Sequence, residues 1–313
     1  MKKTNKLVVL ILLIMLTSAC GADNYLKDEN NQPIKYSVTG QTLQKDILCR
    51  PSSDTELYNI YVEHEDQLDY KLNDLPECKD FQVNSNESKS IWQYIFVKPI
   101  AYLIIKLGYQ VNNLGLSVVL IGLLIRLILM PFQIKSQNQS KKMQEATPEI
   151  QRLEIKYKDK TDQASLQAKS QETLMIYKKY HVSPLLGCLL AFIQLPLFFA
   201  FLQALYRIPT IYEESFLGMN LGTTPWVGMS SGNYLYFVLL LLIAGSTYFS
   251  FKYSMSQTSA PSTSPEMKKQ TDIMMNVMIV MVIITSFTLP TAIGLYWIVT
   301  YAFISVQTYF VNL

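Results

Sequence analysis

One charged residue, Arg126, lies inside a long apolar stretch of the sequence, GLLIRLILMPF. It follows Leu114 by 12 residues and precedes Phe132 by six, so in a helix its Cα would lie roughly 9 Å from one end of that stretch. An arginine at the centre of a membrane span costs about 2.5–3.5 kcal/mol. Such a side chain either extends to the lipid headgroups or faces a hydrated cavity between helices.

Two features of the five predicted membrane spans favour a hydrated cavity over the lipid headgroups as the surroundings of Arg126. The spans contain no Asp or Glu, so water or lipid phosphate is expected to solvate the guanidinium. They also carry uncharged polar residues that need hydrogen-bond partners, namely Gln194, Gln203, Asn276, Thr285, Ser286 and Thr300. Helix packing is the alternative for each Ser or Thr considered singly. The predicted chemistry is electrostatic attraction and hydration of polar segments.

Patterns typical of enzymes carry little weight in this sequence. G-M-S-S-G at 228–232 matches the nucleophile pattern G-x-S-x-G, which needs a strand–turn–helix setting and a histidine partner. The chain has two histidines, His64 and His181, and the pattern lies in a predicted loop between spans. The sequence also lacks the phosphate-binding pattern G-x-x-x-x-G-K-[ST]. We therefore predict a protein that is not an enzyme and binds no cofactor and no metal.

The composition is typical of a membrane protein. Half of the 313 residues are hydrophobic and 16% are charged, whereas about 25% are charged in an average soluble protein. This balance excludes a disordered chain and argues against a single soluble domain. The net charge of +3 is too small to predict binding to nucleic acid.

The first residues are typical of a bacterial export signal. Lys2, Lys3 and Lys6 precede an apolar run that is too short to span a bilayer comfortably. The run ends in T-S-A-C-G, which resembles a lipobox, so residues 1–19 would be cleaved and Cys20 would carry a lipid anchor at the outer face. An ordinary signal with an incidental cysteine is the alternative.

Residues 20–90 form an acidic segment that is predicted to be extracellular. Between Gly21 and Ser90 there are 7 Lys or Arg and 14 Asp or Glu residues, without an extended helical apolar stripe. Its two cysteines, Cys49 and Cys78, are expected either to form a disulfide in an oxidising compartment or to remain free thiols in a flexible linker.

The remaining chain is dominated by apolar stretches. Residues 91–109 are interrupted by Lys98, Pro99 and Lys106, which predicts an amphipathic helix at the outer interface rather than a span. Five stretches are close to the 20 apolar residues that a bilayer requires. They are Leu114–Phe132, Leu185–Tyr206, Asn233–Phe251, Ile273–Leu289 and Thr291–Phe310.

The charges of the loops predict the orientation of these spans. Residues 133–184 hold 10 Lys or Arg, whereas the loop after the second span holds only Arg207. Positive loops stay in the cytoplasm, so the mature N-terminus is predicted to be extracellular and the C-terminus cytoplasmic. The protein would then be a multi-pass protein of the bacterial cell membrane.

The long basic loop, residues 133–184, is predicted to form a cytoplasmic helical hairpin. Its first arm, which ends near Tyr157, should bend or break at Pro148. The arms are mostly polar, and Met143 and Met175 are candidate contacts for a docking partner. A passive linker is the alternative.

Three long motifs resemble the YidC family of membrane protein insertases, which are relatives of the mitochondrial Oxa and chloroplast Albino proteins. The resemblance covers roughly residues 91–313, and the lipobox resembles that of Gram-positive members. The motifs are NLGLSVVLIGLLIRLILMPFQIKSQNQSKKMQ, IYKKYHVSPLLGCLLAFIQLPLFFAFLQAL and LPTAIGLYWIVTYAFISVQTYF.

The resemblance implies an all-α polytopic membrane protein in which five transmembrane helices surround a hydrophilic groove. It also implies the cytoplasmic hairpin and agrees with the outer amphipathic helix. Arg126 would be the groove arginine, Gln194 the groove glutamine of the second span, and Trp297 the aromatic residue of the L-Y-W motif. Gly122 stands where many members have Thr or Ser, which predicts a less polar wall at that point.

The implied function is to insert client membrane proteins and help them fold, alone or with the Sec translocon. The implied partners are nascent client membrane proteins and membrane lipids, with the signal recognition pathway and the ribosome as further candidates. A small-solute transporter or channel is the rival prediction, although the paired repeats typical of transporters are not evident in the sequence. A structural lipoprotein scaffold is a third prediction, but it gives Arg126 no role.

Overall fold

The computed structural model describes residues 24–85, 90–160, 162–182, 184–258 and 265–311. The predicted signal segment and Cys20 lie outside these residues. The chain folds into two compact units. The first unit comprises the described residues up to 124 together with 194–244 and 283–300, and the second comprises 125–193, 245–282 and the residues from 301 onward.

The acidic segment before residue 86 is a folded domain rather than a linker, and we call residues 24–85 the N-terminal domain. Its hydrophobic core includes one residue from far along the chain, Tyr212. The buried members within the domain itself are Leu26, Tyr36, Leu43, Ile47, Leu57, Tyr61, Leu68, Leu72 and Leu75. The core therefore needs a later segment of the first unit to be complete.

An α-helix in this domain was not predicted from the sequence. Helix α1 (Glu56–Glu63) begins after Thr55, whose hydroxyl accepts a hydrogen bond from the Tyr58 N–H. Only Leu57 and Tyr61, one turn apart, are buried on this helix. Two apolar residues are too few to show a helical period in the sequence. The helix was therefore not predicted.

A disulfide joins Cys49 and Cys78, whose Cα atoms are 4.8 Å apart. Both residues are buried. The neighbouring residues Arg50 and Glu77 form a parallel bridge, and their side chains form an exposed ion pair at 3.3 Å. The disulfide therefore links the start and end of the stretch that contains α1.

The predicted amphipathic segment is helical. A π-helical turn, Gln93–Val97, leads into α2 (Lys98–Gln110). Pro99 lacks an N–H group and its ring would clash with the carbonyl four residues earlier, so the wider turn before it relieves this conflict. The helix buries Ala101 and Ile104 on one face and exposes Lys106 on the other. Its location at the outer interface stays a prediction.

The rest of the chain is mostly helical. A two-residue turn at Leu217 and Gly218, both with positive φ, joins two short antiparallel strands, β1 (Ser215–Phe216) and β2 (Met219–Asn220). The helices are α3 (Leu114–Lys156), α4 (Gln163–Lys179), α5 (Pro184–Tyr206), α6 (Thr210–Glu213), α7 (Pro225–Ser230), α8 (Leu235–Thr258), α9 (Pro265–Ser286) and α10 (Thr291–Val311).

Three helices among the described residues are long and apolar enough to cross a membrane. They contain the stretches Leu114–Lys156, Leu235–Tyr253 and Thr291–Phe310. Shorter apolar stretches, Gln194–Tyr206 and Met275–Ser286, lie in α5 and α9. The prediction of a helical membrane protein is confirmed in this form, and the number of five spans stays a prediction.

Helix α3 does not break at Pro148, where the sequence predicted a bend or a break. The helix continues without a break through Pro131 and Pro148 to Lys156. A proline removes one backbone hydrogen bond, but the turns on either side keep theirs. The Thr147 hydroxyl also donates to the Met143 carbonyl at 2.8 Å, next to the group that Pro148 cannot serve.

The second half of α3 and helix α4 carry charged residues that contact each other within the second unit. Glu149 accepts hydrogen bonds from Lys179 and from the Tyr180 hydroxyl. Glu172 accepts hydrogen bonds from Lys156 and Tyr157 at 2.8 Å each. These donors lower the pKa of both carboxyl groups from their ordinary value of 4.5.

A buried ion pair connects the N-terminal domain to the chain after α5. The Arg207 Nε donates to Asp46 Oδ2 at 2.8 Å, and the Gln93 amide donates to the same oxygen at 2.8 Å. Both charged side chains are 6% exposed. One carboxylate oxygen thus joins three segments of the first unit that are distant in the sequence.

The ion pair between Asp46 and Arg207 predicts a large loss of stability when one partner is removed. Asp46→Ala or Arg207→Ala should destabilise the docked N-terminal domain by about 3–5 kcal/mol, because the remaining charge stays buried without compensation. Hydrogen exchange of the domain's amides in the full-length protein in detergent measures this loss. Arg50→Ala is the matched control, because its pair with Glu77 is exposed and should leave exchange nearly unchanged.

The contacts between α3 and α4 predict a dependence on pH. Since the folded-state pKa of each carboxyl group is lowered, the pairs stabilise the packing above about pH 4.5 and lose this effect as the pH falls through the lowered pKa. Spin labels at the exposed residues Ile155 and Leu166 should report a broader distance distribution at low pH. Glu149→Gln with Glu172→Gln should give the broad distribution at neutral pH, and Glu154→Gln with Asp159→Asn should not.

Candidate functional site

Tyr296 lies at the centre of the helix packing in the first unit. Its side chain, on α10, is fully buried and stacks on Phe201 of α5 with ring centroids 4.3 Å apart. Its hydroxyl accepts a long hydrogen bond, 3.4 Å, from the Gln194 side-chain amide. The predicted groove residue Gln194 is thus oriented by a partner that the sequence analysis did not single out.

Gly122 of α3 makes room for the same tyrosine ring. A Cβ atom at residue 122 would lie 3.1 Å from Tyr296 Cδ2, closer than ordinary van der Waals contact. The absence of a side chain at Gly122 therefore lets the tyrosine ring pack directly against the backbone of α3. The sequence predicted a less polar wall here, and the structure fills that position with the Tyr296 ring.

Trp297 and the hydroxyl residues occupy different environments in the first unit. Trp297 is buried and stacks on Phe198 with centroids 5.9 Å apart and planes 11° from parallel. Ser286 is buried and donates to the Ile283 carbonyl of its own helix at 2.6 Å. Thr300 is buried, and Thr285 is half-buried. Of the predicted residues in this unit, Gln194 and Trp297 lie on two helices, α5 and α10, that are in direct aromatic contact.

Arg126 belongs to the second unit, where its side chain is only 3% exposed. A side chain that extends to lipid headgroups would be exposed on the protein surface. The observed burial therefore argues against such an extended position. The helix around Arg126 has a mean hydropathy of 2.4 over its most apolar stretch, so the guanidinium is surrounded in sequence by residues that cannot solvate it.

Three other predicted residues of the second unit are exposed to different degrees. Asn276 of α9 is exposed, so its amide points away from the interior of this unit. Met175 of α4 is 64% exposed, and Met143 of α3 is half-buried. Met175 is therefore available for contacts with another molecule.

Tyr296 was not predicted from the sequence, although its motif, L-Y-W, contains the predicted tryptophan. Arg207 was predicted only as a loop charge that reports topology. Periodicity or charge counts do not reveal the role of either residue, because each role depends on a contact with a distant segment. The Arg207 partner is 161 residues away, and the Gln194 partner is 102 residues away.

These features define a helical membrane protein with a buried arginine in one apolar helix and a packed cluster of aromatic rings and an amide between α5 and α10. A family model described as 60Kd inner membrane protein matches residues 106–313. The chain belongs to this family, the YidC family of membrane protein insertases.

Several named insertases are similar in sequence to this chain over most of their own lengths. The chain is 36% identical over 228 residues to the membrane protein insertase YidC of Oceanobacillus iheyensis, covering 72% of this chain and 85% of the relative. It is 35% identical over 230 residues to the YidC of Alkalihalophilus pseudofirmus, covering 72% and 83%. It is 33% identical over 227 residues to the insertase MisCA of Bacillus subtilis, covering 72% and 81%.

The packing of Gly122 against Tyr296 predicts a specific loss of stability. Gly122→Val should destabilise the protein by about 1–3 kcal/mol, because the new side chain overpacks against a buried ring that cannot move freely. Thermal unfolding in detergent should show a lower midpoint. Gly245→Val is the matched control, because no atom lies within 4 Å of a Cβ at residue 245, and its midpoint should stay within error or rise.

Proposed function

We propose that this protein inserts client membrane proteins into the bilayer, and helps them fold, through a hydrated, positively charged groove. The family membership supports insertion as the activity. The observation that supports the groove is the placement of a charged residue, Arg126, within a helix apolar enough to span a bilayer. A charge in such a helix needs water or polar groups around it, and the proposed groove supplies them.

The physical task of an insertase is to move a polar segment across hydrocarbon. Each unsatisfied backbone group in the bilayer core costs several kcal/mol. A groove that brings water partway through the membrane shortens the dry part of the path. Arg126, Gln194 and Trp297 are the residues that we assign to this groove, with Asn276, Thr285, Ser286 and Thr300 as further lining residues.

Arg126 attracts acidic residues in the polar segment of the client. At an effective dielectric constant of about 20, two opposite charges about 4 Å apart attract by about 4 kcal/mol before desolvation is subtracted. This attraction is large enough to hold a client segment briefly and small enough to release it. The interaction needs no covalent chemistry.

The apolar segment of the client leaves along lipid-facing helix surfaces. Helix α8 exposes Leu241 and Leu242, and α10 exposes Val306 and Phe310. An incoming apolar helix moves along such surfaces into lipid. Its own transfer out of water supplies the free energy, so the step needs no nucleotide.

We further propose how the protein sits in the membrane. Five spans leave the N-terminal domain outside and the C-terminus in the cytoplasm, and a lipid on Cys20 anchors the mature N-terminus. The α3–α4 hairpin, with the exposed Met175 and the half-buried Met143, receives nascent clients from the cytoplasm. The Sec translocon, the signal recognition pathway and the ribosome are the candidate partners for delivery.

Replacing Arg126 tests the groove. Full-length protein in liposomes should insert a labelled single-span client with an acidic translocated tail. Arg126→Ala should reduce insertion by about tenfold or more, since it removes an attraction worth more than 1.4 kcal/mol. Arg126→Lys should retain most of the activity because it keeps the charge.

Two controls make this experiment specific. Arg152→Ala removes the same charge from an exposed position of the same helix and should leave insertion unchanged. A client whose tail carries Asn and Gln in place of Asp and Glu should be insensitive to Arg126→Ala. Equal insertion of the acidic client by the wild type and Arg126→Ala would contradict the role of Arg126, and transport of small solutes without insertion would favour a transporter.

A further inference from the structure

The N-terminal domain lies outside the residues that match the insertase family. The family model begins at residue 106, whereas the domain comprises residues 24–85. The domain is nevertheless built into the first unit, because Tyr212 completes its core. This arrangement raises the question of what the domain contributes to the helices on which it is docked.

The contacts of the domain converge on the C-terminal end of α5. The last carbonyl groups of a helix lack partners within the helix. Here the Arg207 Nη1 donates to the Gln203 carbonyl at 3.1 Å, and the Tyr212 hydroxyl donates to the Tyr206 carbonyl at 3.2 Å. The positive charge of Arg207 also opposes the negative end of the helix dipole. These two side chains therefore cap α5.

Both capping residues are held by the N-terminal domain. Arg207 is held by Asp46 through its side chain, and its carbonyl accepts a hydrogen bond from the Leu48 N–H at 2.9 Å. Tyr212 is held by the domain core. The cap of α5 therefore depends on a domain that is separate from it in sequence.

The segment before α2 is attached at the same point. The Trp92 indole N–H donates to the Gln203 side chain at 3.2 Å, and Gln93 donates to Asp46. If two apolar side chains replaced the ion pair, their contact would not fix the relative orientation of the two segments. An ion pair with a shared acceptor oxygen instead requires one geometry of its donors.

We propose that Asp46, Gln93 and Arg207 form a latch by which the N-terminal domain positions α5, and with it Gln194, for client insertion. Gln194 lies nine residues before Gln203, about 14 Å along the helix. The latch residues are positioning residues, and their role rests on the proposed function. The domain stays docked throughout the insertion cycle.

Asp46→Asn in the full-length protein tests the latch. Insertion of the single-span client should fall by about tenfold, within the range that residues away from a site usually cause. Glu77→Gln is the matched control, because it removes the same charge from the same domain at an exposed ion pair, and it should leave insertion unchanged. Spin labels at Leu195 of α5 and Val238 of α8 should report a broader distance distribution in Asp46→Asn only.

A cross-link separates positioning from folding. A Cβ at Gly40 would lie 3.5 Å from the Val227 Cβ, within the range of a disulfide. Because Gly40 has a φ of +70°, a cysteine there is strained, and the reduced double variant is the reference for every effect of the cross-link. Gly40→Cys with Val227→Cys, in a Cys188→Ser background, should restore insertion and the narrow distance distribution to Asp46→Asn when oxidised. Each single cysteine variant should not restore them.

Three results would overturn the latch. Insertion by Asp46→Asn at the wild-type rate would exclude a positioning role, while insertion by the wild type would leave the proposed function standing. Failure of the oxidised cross-link to rescue Asp46→Asn would exclude docking as the cause of the loss. Inhibition of the otherwise wild-type protein by the cross-link would show that the domain must separate from the core during insertion.

Discussion

The ion pair between Asp46 and Arg207 is the contact on which the first unit depends. Burial of either charge alone is strongly unfavourable, so the two segments that carry them must remain together. Gln93 binds the same carboxylate oxygen and adds a third segment. Through Arg207 and Tyr212 the pair also caps α5, and through α5 it reaches Gln194, whose amide is hydrogen-bonded to Tyr296. In the proposed latch, the stability of the N-terminal domain is linked to the orientation of Gln194.

A second constraint concerns charge in an apolar helix. Arg126 is buried in a helix that is apolar enough to span a bilayer, and a charged side chain at such a position has a free-energy cost. The chain thus buries two arginines in different ways. Arg207 is paired with Asp46 within the first unit, and Arg126 is the positive charge that we assign to the proposed groove. In the proposed function, this charge attracts the acidic segment of a client.

Different parts of the structure followed from the sequence to different degrees. The membrane class and the family were predicted from long apolar runs and long motifs, which are local signals. Of the bend or break predicted at Pro148, the break does not occur, because one missing hydrogen bond does not end a helix whose neighbouring turns are intact. The fold of residues 24–85 was not foreseen, because its core is assembled from short segments and one later tyrosine. The role of Gly122 required the position of the Tyr296 ring, which no local pattern contains.

By itself, the sequence determined that a single arginine would lie within an apolar helix and that the chain resembles membrane insertases. Both conclusions need only the residues within one stretch, since hydropathy and motifs are properties of neighbours along the chain. Only the tertiary structure decided that Asp46 pairs with Arg207, 161 residues away, and that Tyr212 belongs to the N-terminal core. Such pairings depend on how the segments pack in three dimensions, and the same residue types at the same spacing are compatible with many other partners.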